Sequence, residues 1–271
     1  MTIIRSGRIF SLALAACLFL VSGEIPAAMA ESGAKGPLDG KVFVVERGER
    51  GDKADGKDVY LFRDGKFLST SFEKWHRFGV SAYTSTVQGD AITFAADTKS
   101  KTDGTIHWEG TVRGDRIDVR YTWTGKPKKW YRPNPKPAEY WARSFVAGAE
   151  QKTGAPGGRT EASNLLDGKT YFVRTGEQGK EADHDDYLVF WDGIFVSSGC
   201  VEIDFRKSAY SETREKDGIR FRAETVSPTH GTMIWDGIVR GDVVDATARW
   251  IHKRWYWTID RVYWYRGRLY E

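Results

Sequence analysis

Apolar and polar residues alternate with a period of two along most of this chain. Met233, Trp235, Gly237 and Val239 alternate with Thr232, Ile234, Asp236 and Ile238. Val244, Ala246, Ala248 and Trp250 then alternate with Val243, Asp245, Thr247 and Arg249. Period two places one set of side chains on a buried face and the other in water, so the spacing predicts two half-buried strands joined through Arg240-Gly241-Asp242. Ile219, Phe221, Ala223 and Thr225 form a third such stripe, entered from the Lys216-Asp217-Gly218 turn. Residues 187–191 and 194–200 face each other across Asp192-Gly193, a dipeptide suited to a tight hairpin. With residues 169–175, 208–213 and 261–266 the count reaches about eight short strands, and no stretch has a helical period.

The pattern occurs twice. Tyr83 to Trp123 aligns with Tyr210 to Trp250 without gaps, with 19 of 41 positions identical. The match extends to Leu38-Asp39-Gly40-Lys41 against Leu166-Asp167-Gly168-Lys169, Asp64-Gly65 against Asp192-Gly193, and Trp130-Tyr131 against Trp255-Tyr256. The chain therefore reads as a tandem duplication: a first unit over 38–144, a flexible linker over 145–165 rich in Gly, Ala, Ser and Thr, and a second unit over 166–271. Each copy is long enough to bury its own core. Eight sequential strands favour an up-and-down antiparallel β-barrel in each copy, because closure removes both sheet edges; an open β-sandwich is the alternative.

Leu38-Asp-Gly-Lys-Val-Phe43 and Leu166-Asp-Gly-Lys-Thr-Tyr171 resemble the first-strand signature of the lipocalin and avidin group of eight-stranded barrels. In that group a glycine precedes an aromatic, and a basic residue near the last strand accompanies it. Arg143 and Arg266 are placed for that role, whereas Phe43 or Tyr171 stands where the group carries tryptophan. The resemblance implies barrel architecture and, beyond it, small-ligand binding.

The first thirty residues differ in kind. Arg5 and Arg8, the apolar run 9–21 and Ala28-Met29-Ala30 follow the order of a secretory signal peptide over 1–30, so the mature protein is expected in the periplasm or outside the cell. The alternative is a lipoprotein anchored through Cys17, in Leu14-Ala15-Ala16-Cys17. Cleavage after Ala30 leaves Cys200 as one thiol and no intramolecular disulfide, with Cys200 expected buried in a strand. No other apolar run is long enough for a membrane span.

Net charge is +4, but 38–144 carries 20 basic and 15 acidic residues while 166–271 carries 16 and 18. The excess is concentrated in residues 125–133, a basic loop with aromatics that suits an anionic surface of lipid or polysaccharide. It is too small an excess for nucleic acid to be an expected partner.

Trp108, Trp123, Trp235 and Trp250 fall on the inward face, as barrel core or as the lining of a ligand pocket. Ala246 and Ala248 replace Val119 and Tyr121, which predicts a roomier second interior. The candidate pocket for a small apolar or amphipathic molecule is thus Trp235, Trp250, Ala246, Ala248 and Phe221, with Trp255, Trp257 and Trp264 near its mouth and Trp108 and Trp123 in the first copy.

Other motifs carry less. Asp52, Asp55 and Asp58, and Asp183, His184, Asp185 and Asp186, read as solvated acidic turns, since neither string has calcium-loop spacing. His76, His107 and His230 lack metal-ligand spacing, and no metal or cofactor is expected. The two Arg-Gly-Asp tripeptides, at 113–115 and 240–242, suit hairpin turns. Ser71-x-x-Lys74 has the spacing of serine acyl enzymes but sits in a strand-like pattern. With no acid, base and nucleophile set, an enzyme is the less favoured expectation. The leading one is an exported carrier or sensor of a small molecule, and the alternative is a cell-envelope or polysaccharide interaction module using paired domains.

Overall fold

A computed structural model describes residues 36–127, 133, 135–144 and 164–270. The segment 1–30 expected to be a signal peptide, Cys17 within it, residues 128–132 of the basic loop and residues 145–163 of the expected linker lie outside the described residues.

The chain forms two closed antiparallel barrels of eight strands each, in sequence order around each barrel. The first comprises β1 (Val42–Glu49), β2 (Gly56–Arg63), β3 (Lys66–Ser69), β4 (Ser81–Gln88), β5 (Ala91–Ser100), β6 (Gly104–Arg113), β7 (Arg116–Thr124) and β8 (Ala138–Ser144). The second comprises β9 (Thr170–Glu177), β10 (His184–Trp191), β11 (Ile194–Ser197), β12 (Ser208–Glu215), β13 (Gly218–Ser227), β14 (Gly231–Arg240), β15 (Val243–Lys253) and β16 (Thr258–Leu269). Closure comes from β1 pairing with β8 and β16 with β9, so neither sheet has a terminal strand.

The alternation read from the sequence is the burial pattern of β13 to β15: Phe221, Met233, Trp235, Val239, Val244, Ala246 and Ala248 are buried. The hairpins follow local chemistry. Asp64 and Gly65 both have positive φ, as do Asp192 and Gly193, the conformation that a two-residue hairpin matching strand twist demands. The Arg-Gly-Asp tripeptides form the β6–β7 and β14–β15 turns, with Gly114 and Gly241 each at φ 58°. Asp39 and Asp167 tie the Leu-Asp-Gly-Lys segments down. Each carboxylate accepts from the backbone N–H of Gly65 or Gly193 and from the hydroxyl of Tyr83 or Tyr210.

Two short helices depart from the all-strand expectation: α1 (Thr70–His76) after β3, and α2 (Ser198–Glu202) after β11. Cys200 therefore lies in a helix, and Ser71-x-x-Lys74 does too. The signal for these helices is a buried carboxylate. Asp58 accepts from the Ser69 and Thr70 hydroxyls and the Ser71 N–H. Asp186 accepts from the Ser197 and Ser198 hydroxyls and the Gly199 N–H. Each charge satisfies the otherwise unpaired first turn of a helix, while Ser69 and Ser197 serve as N-caps. Asp58 and Asp186 are thus not solvated turn residues; they are buried, and strand pairing from β2 and β10 aims them at the helix starts.

The barrels meet along β2 and β3 on one side and β10, β11 and α2 on the other. Val59, Leu61 and Leu68 pack with Tyr187, Val189, Val196 and Val201 in one apolar cluster. Because this seam covers the outer faces of β2 and β10, both faces of those strands are buried, and 58–62 and 186–190 are unbroken buried runs. Ion pairs flank the seam: Lys57 with Asp204, Arg77 with Asp185, and Lys74 with Glu202. Arg63 also donates to the Tyr270 carbonyl at 2.9 Å.

Candidate functional site

The inward tryptophans are packed. Trp108 stacks on Tyr121 with ring centroids 4.5 Å apart and meets Phe67 and Phe72 edge-on, while its Nε1–H donates to Thr98. Trp235 meets Phe195 at 5.0 Å and Tyr265 at 4.7 Å, and its Nε1–H donates to Thr225. Phe221 lies so close over Gly237 that a Cβ there would stand 2.4 Å from its ring, which is why the strand carries glycine at that point. Trp123 and Trp250 occupy the barrel ends, half-buried, and donate to the carbonyls of Asp103 and His230.

The two interiors exchange one ring between strands. Tyr121 of β7 and Ala142 of β8 in the first barrel correspond to Ala248 of β15 and Tyr265 of β16 in the second. The room expected from Ala246 and Ala248 is therefore taken in part by Tyr265, whose ring covers Trp235 from the neighbouring strand. A single-strand comparison could not reveal this, because the compensating residue lies in another strand. Three further exchanges keep the second interior lighter: Arg47, Tyr60 and Phe72 correspond to Thr175, Leu188 and Cys200. Burial pushes the Cys200 thiol up to about 12, so it stays protonated and unreactive near neutral pH.

Trp264 does not join that interior. It lies on the outer face of β16 beside the Arg266 guanidinium, with its Nε1–H on the Lys180 carbonyl. Trp141 repeats this in the first barrel, under Arg143, with its Nε1–H on the Glu49 carbonyl. Both tryptophans fasten the loop between the first two strands of their barrel. Arg143 also pairs with Glu46 on β1, and Arg266 with Asp245.

Trp255 and Trp257 stand apart from all of these. The β15–β16 hairpin ends in Arg254-Trp255-Tyr256-Trp257, closed by the Arg254 N–H on the Trp257 carbonyl at 2.8 Å. Trp255 is 94% exposed, Tyr256 61% and Trp257 43%. Trp255 and Tyr256 meet edge-on at 4.8 Å, and Arg254 lies 5.8 Å from the Trp257 ring centre. Behind the tip, Ser227, Thr229, Thr232, His252 and Lys253 border an open hollow of about 430 Å³. Aromatic rings bury large area at small conformational cost, so three held in water on a short hairpin form a contact surface without a partner among the described residues. Lys253 and Arg254 give that surface positive charge.

The remaining candidates resolve into structure. Ser71 is buried and donates its hydroxyl to the Lys57 carbonyl and to Glu202, while the Lys74 ammonium is held by Glu202. Neither is presented to a substrate. Among the described residues no three His, Cys, Asp or Glu side chains converge to hold a metal ion, and no helix is long and apolar enough to cross a membrane. Comparison of the chain with protein-family models and with curated protein sequences finds no match.

Proposed function

We propose that this protein is an exported, non-catalytic cell-envelope interaction module that docks to an anionic surface through the tip of the β15–β16 hairpin. The observation that carries this reading is the exposure of Trp255, Tyr256 and Trp257 beside Lys253 and Arg254 on a hydrogen-bonded turn. Amphipathic rings with adjacent cations suit the boundary between water and a lipid or polysaccharide layer. In sequence, Lys128, Lys129, Trp130, Tyr131 and Arg132 fall between β7 and β8 as Arg254 to Trp257 fall between β15 and β16, and paired domains that both engaged the surface would raise the effective concentration for the second contact. Cosedimentation of the protein with phosphatidylglycerol vesicles and with an insoluble anionic polysaccharide tests the reading. Binding that falls with salt and is lost in W255A/W257A supports it.

A carrier of a small molecule inside the second barrel is the second reading. It is favoured by the lighter residues Thr175, Leu188 and Cys200 in the second interior. Mass spectrometry of the native protein tests it: added mass that is lost on denaturation supports a bound ligand.

A further inference from the structure

The outer faces of the two barrels are built from the same rows but filled differently. In the first barrel one row runs across four strands as Thr86, Thr93, Thr111 and Asp118, and the adjacent row as Thr84, Ala95, Glu109 and Arg120. These two rows floor a groove of about 1150 Å³. The matching rows of the second barrel are Thr213, Arg220, Ile238 and Asp245, and Ser211, Arg222, Asp236 and Thr247. There Arg220 and Arg222 both bind Asp236, and Arg220 also binds Glu215, so long side chains lie across the strands. Thr93 and Ala95 stand where those arginines would be. Their small size leaves the first face open, and among the described residues the Glu109 carboxylate has the His107 ring at 3.5 Å as its ion-pair neighbour.

We propose that this groove is a binding site for an uncharged oligosaccharide. Four threonine hydroxyls offer acceptor oxygens at the spacing of adjacent strands, those of Thr84 and Thr93 donating to the Ala95 and Thr86 carbonyls, and Glu109, Asp118, Arg113 and Arg120 add charged hydrogen-bonding groups that sum to zero. A phosphate, a nucleic acid or a basic peptide would require a net charge here, and an apolar ligand an apolar floor. A chain of sugar rings matches hydroxyl-rich walls of balanced charge. The groove is also larger than the roughly 300–1,000 Å³ of a single small-molecule pocket, so it takes an oligomer. Trp141, opposite Arg120 on β8, adds an aromatic ring at the end of the second row. This site is separate from the hairpin tip, and neither depends on the other.

The test uses the full two-barrel chain on an immobilised panel of uncharged tetra- to hexasaccharides, followed by titration calorimetry with the tetramer of N-acetylglucosamine and with each panel member retained. The groove-filling variant is T93R/A95R, which installs the residues of the second copy, where the same fold accommodates them. T111I, likewise copied from the second barrel, is the alternative if the arginine pair fails to fold. Binding by at least one panel member, lowered tenfold or more by either variant, unchanged in W255A/W257A and insensitive to salt, is the expected result. Silence across the panel overturns the proposal, as does binding that both variants leave intact. Self-association of the wild type in sedimentation velocity that the variants abolish would also overturn it, by assigning the face to a second copy of the chain. Loss of surface adsorption in W255A/W257A reports on the hairpin tip alone.

Discussion

Lys74 and Glu202 occupy the same position in the two copies, the last residue of the matched segments 71–74 and 199–202, and their side chains meet at 2.7 Å in the seam between the barrels. A residue that contacts its own equivalent lies on the approximate twofold axis relating the copies. Had the copies remained identical, this position would oppose like charges, either two ammonium groups or two carboxylates. Divergence to lysine and glutamate makes the first barrel complementary to the second and not to itself. The flanking pairs follow the same logic: Lys57 and Asp185 are equivalent, and each finds an opposite charge across the seam, in Asp204 and Arg77.

The Lys74 side chain is 4% exposed and pairs with Glu202 away from water. Removing one partner of a buried pair costs about 3–5 kcal/mol, whereas replacing both by apolar residues is often neutral. K74E and E202K are each expected to destabilise the protein by about that amount, with the double exchange K74E/E202K recovering most of it. Urea denaturation of the four proteins measures the cycle. Two single variants as stable as wild type would remove the pair from the account of the seam.

The carboxylates under the helices give a second expectation. D186A strands the Ser197 and Ser198 hydroxyls and the Gly199 N–H, and at about 1.5–3 kcal/mol per lost charge-assisted bond, moderated by relaxation, a loss of at least 2 kcal/mol follows. D58A is expected to behave alike through Ser69, Thr70 and Ser71. Thermal melts of both variants check the equivalence of the two sites.

These helices have no signature in the local sequence. The strands, the hairpin turns and the duplication were legible because alternation and Asp-Gly pairs are local. Residues 69–76 and 197–202 were not, since each helix has two turns at most and depends on a carboxylate more than ten residues upstream for its first turn. The seam left a signal that went unread: Val59-Tyr60-Leu61-Phe62 and Tyr187-Leu188-Val189-Phe190 are unbroken apolar runs, which report strands buried on both faces. Trp108 and Trp235 are buried on the face that the alternation turns inward, but no local pattern reveals that Tyr265 refills the space beside Ala248.

That exchange is itself testable. Y265A opens space beside Trp235 and is expected to cost about 3–5 kcal/mol, and adding A248Y returns the ring from the strand used by the first barrel and recovers a substantial part. Chemical denaturation of Y265A, A248Y and the double variant measures the coupling. Additive losses would mean the two sites do not share one space.

The Asp97 carboxylate, 2.8 Å from His107 Nδ1, holds the imidazole pKa above its ordinary value, with Glu109 adding to the effect. A raised folded-state value means that the pair's contribution is complete below the ordinary histidine range and disappears as pH rises through the folded value. NMR titration of the His107 ring should give a midpoint above that of an exposed histidine, and D97N should lower it. Equal midpoints in the two proteins would place the proton elsewhere.

Cosedimentation of the purified protein with phosphatidylglycerol vesicles and with an anionic polysaccharide, at low and high salt, measures docking of the β15–β16 tip. Wild type is expected to bind at least one of them at low salt and to be released at high salt, while W255A/W257A, with an unchanged melt, binds at least about tenfold more weakly, a loss of roughly 1.4 kcal/mol or more. Undiminished binding by W255A/W257A, or no binding by wild type to either surface, would contradict it.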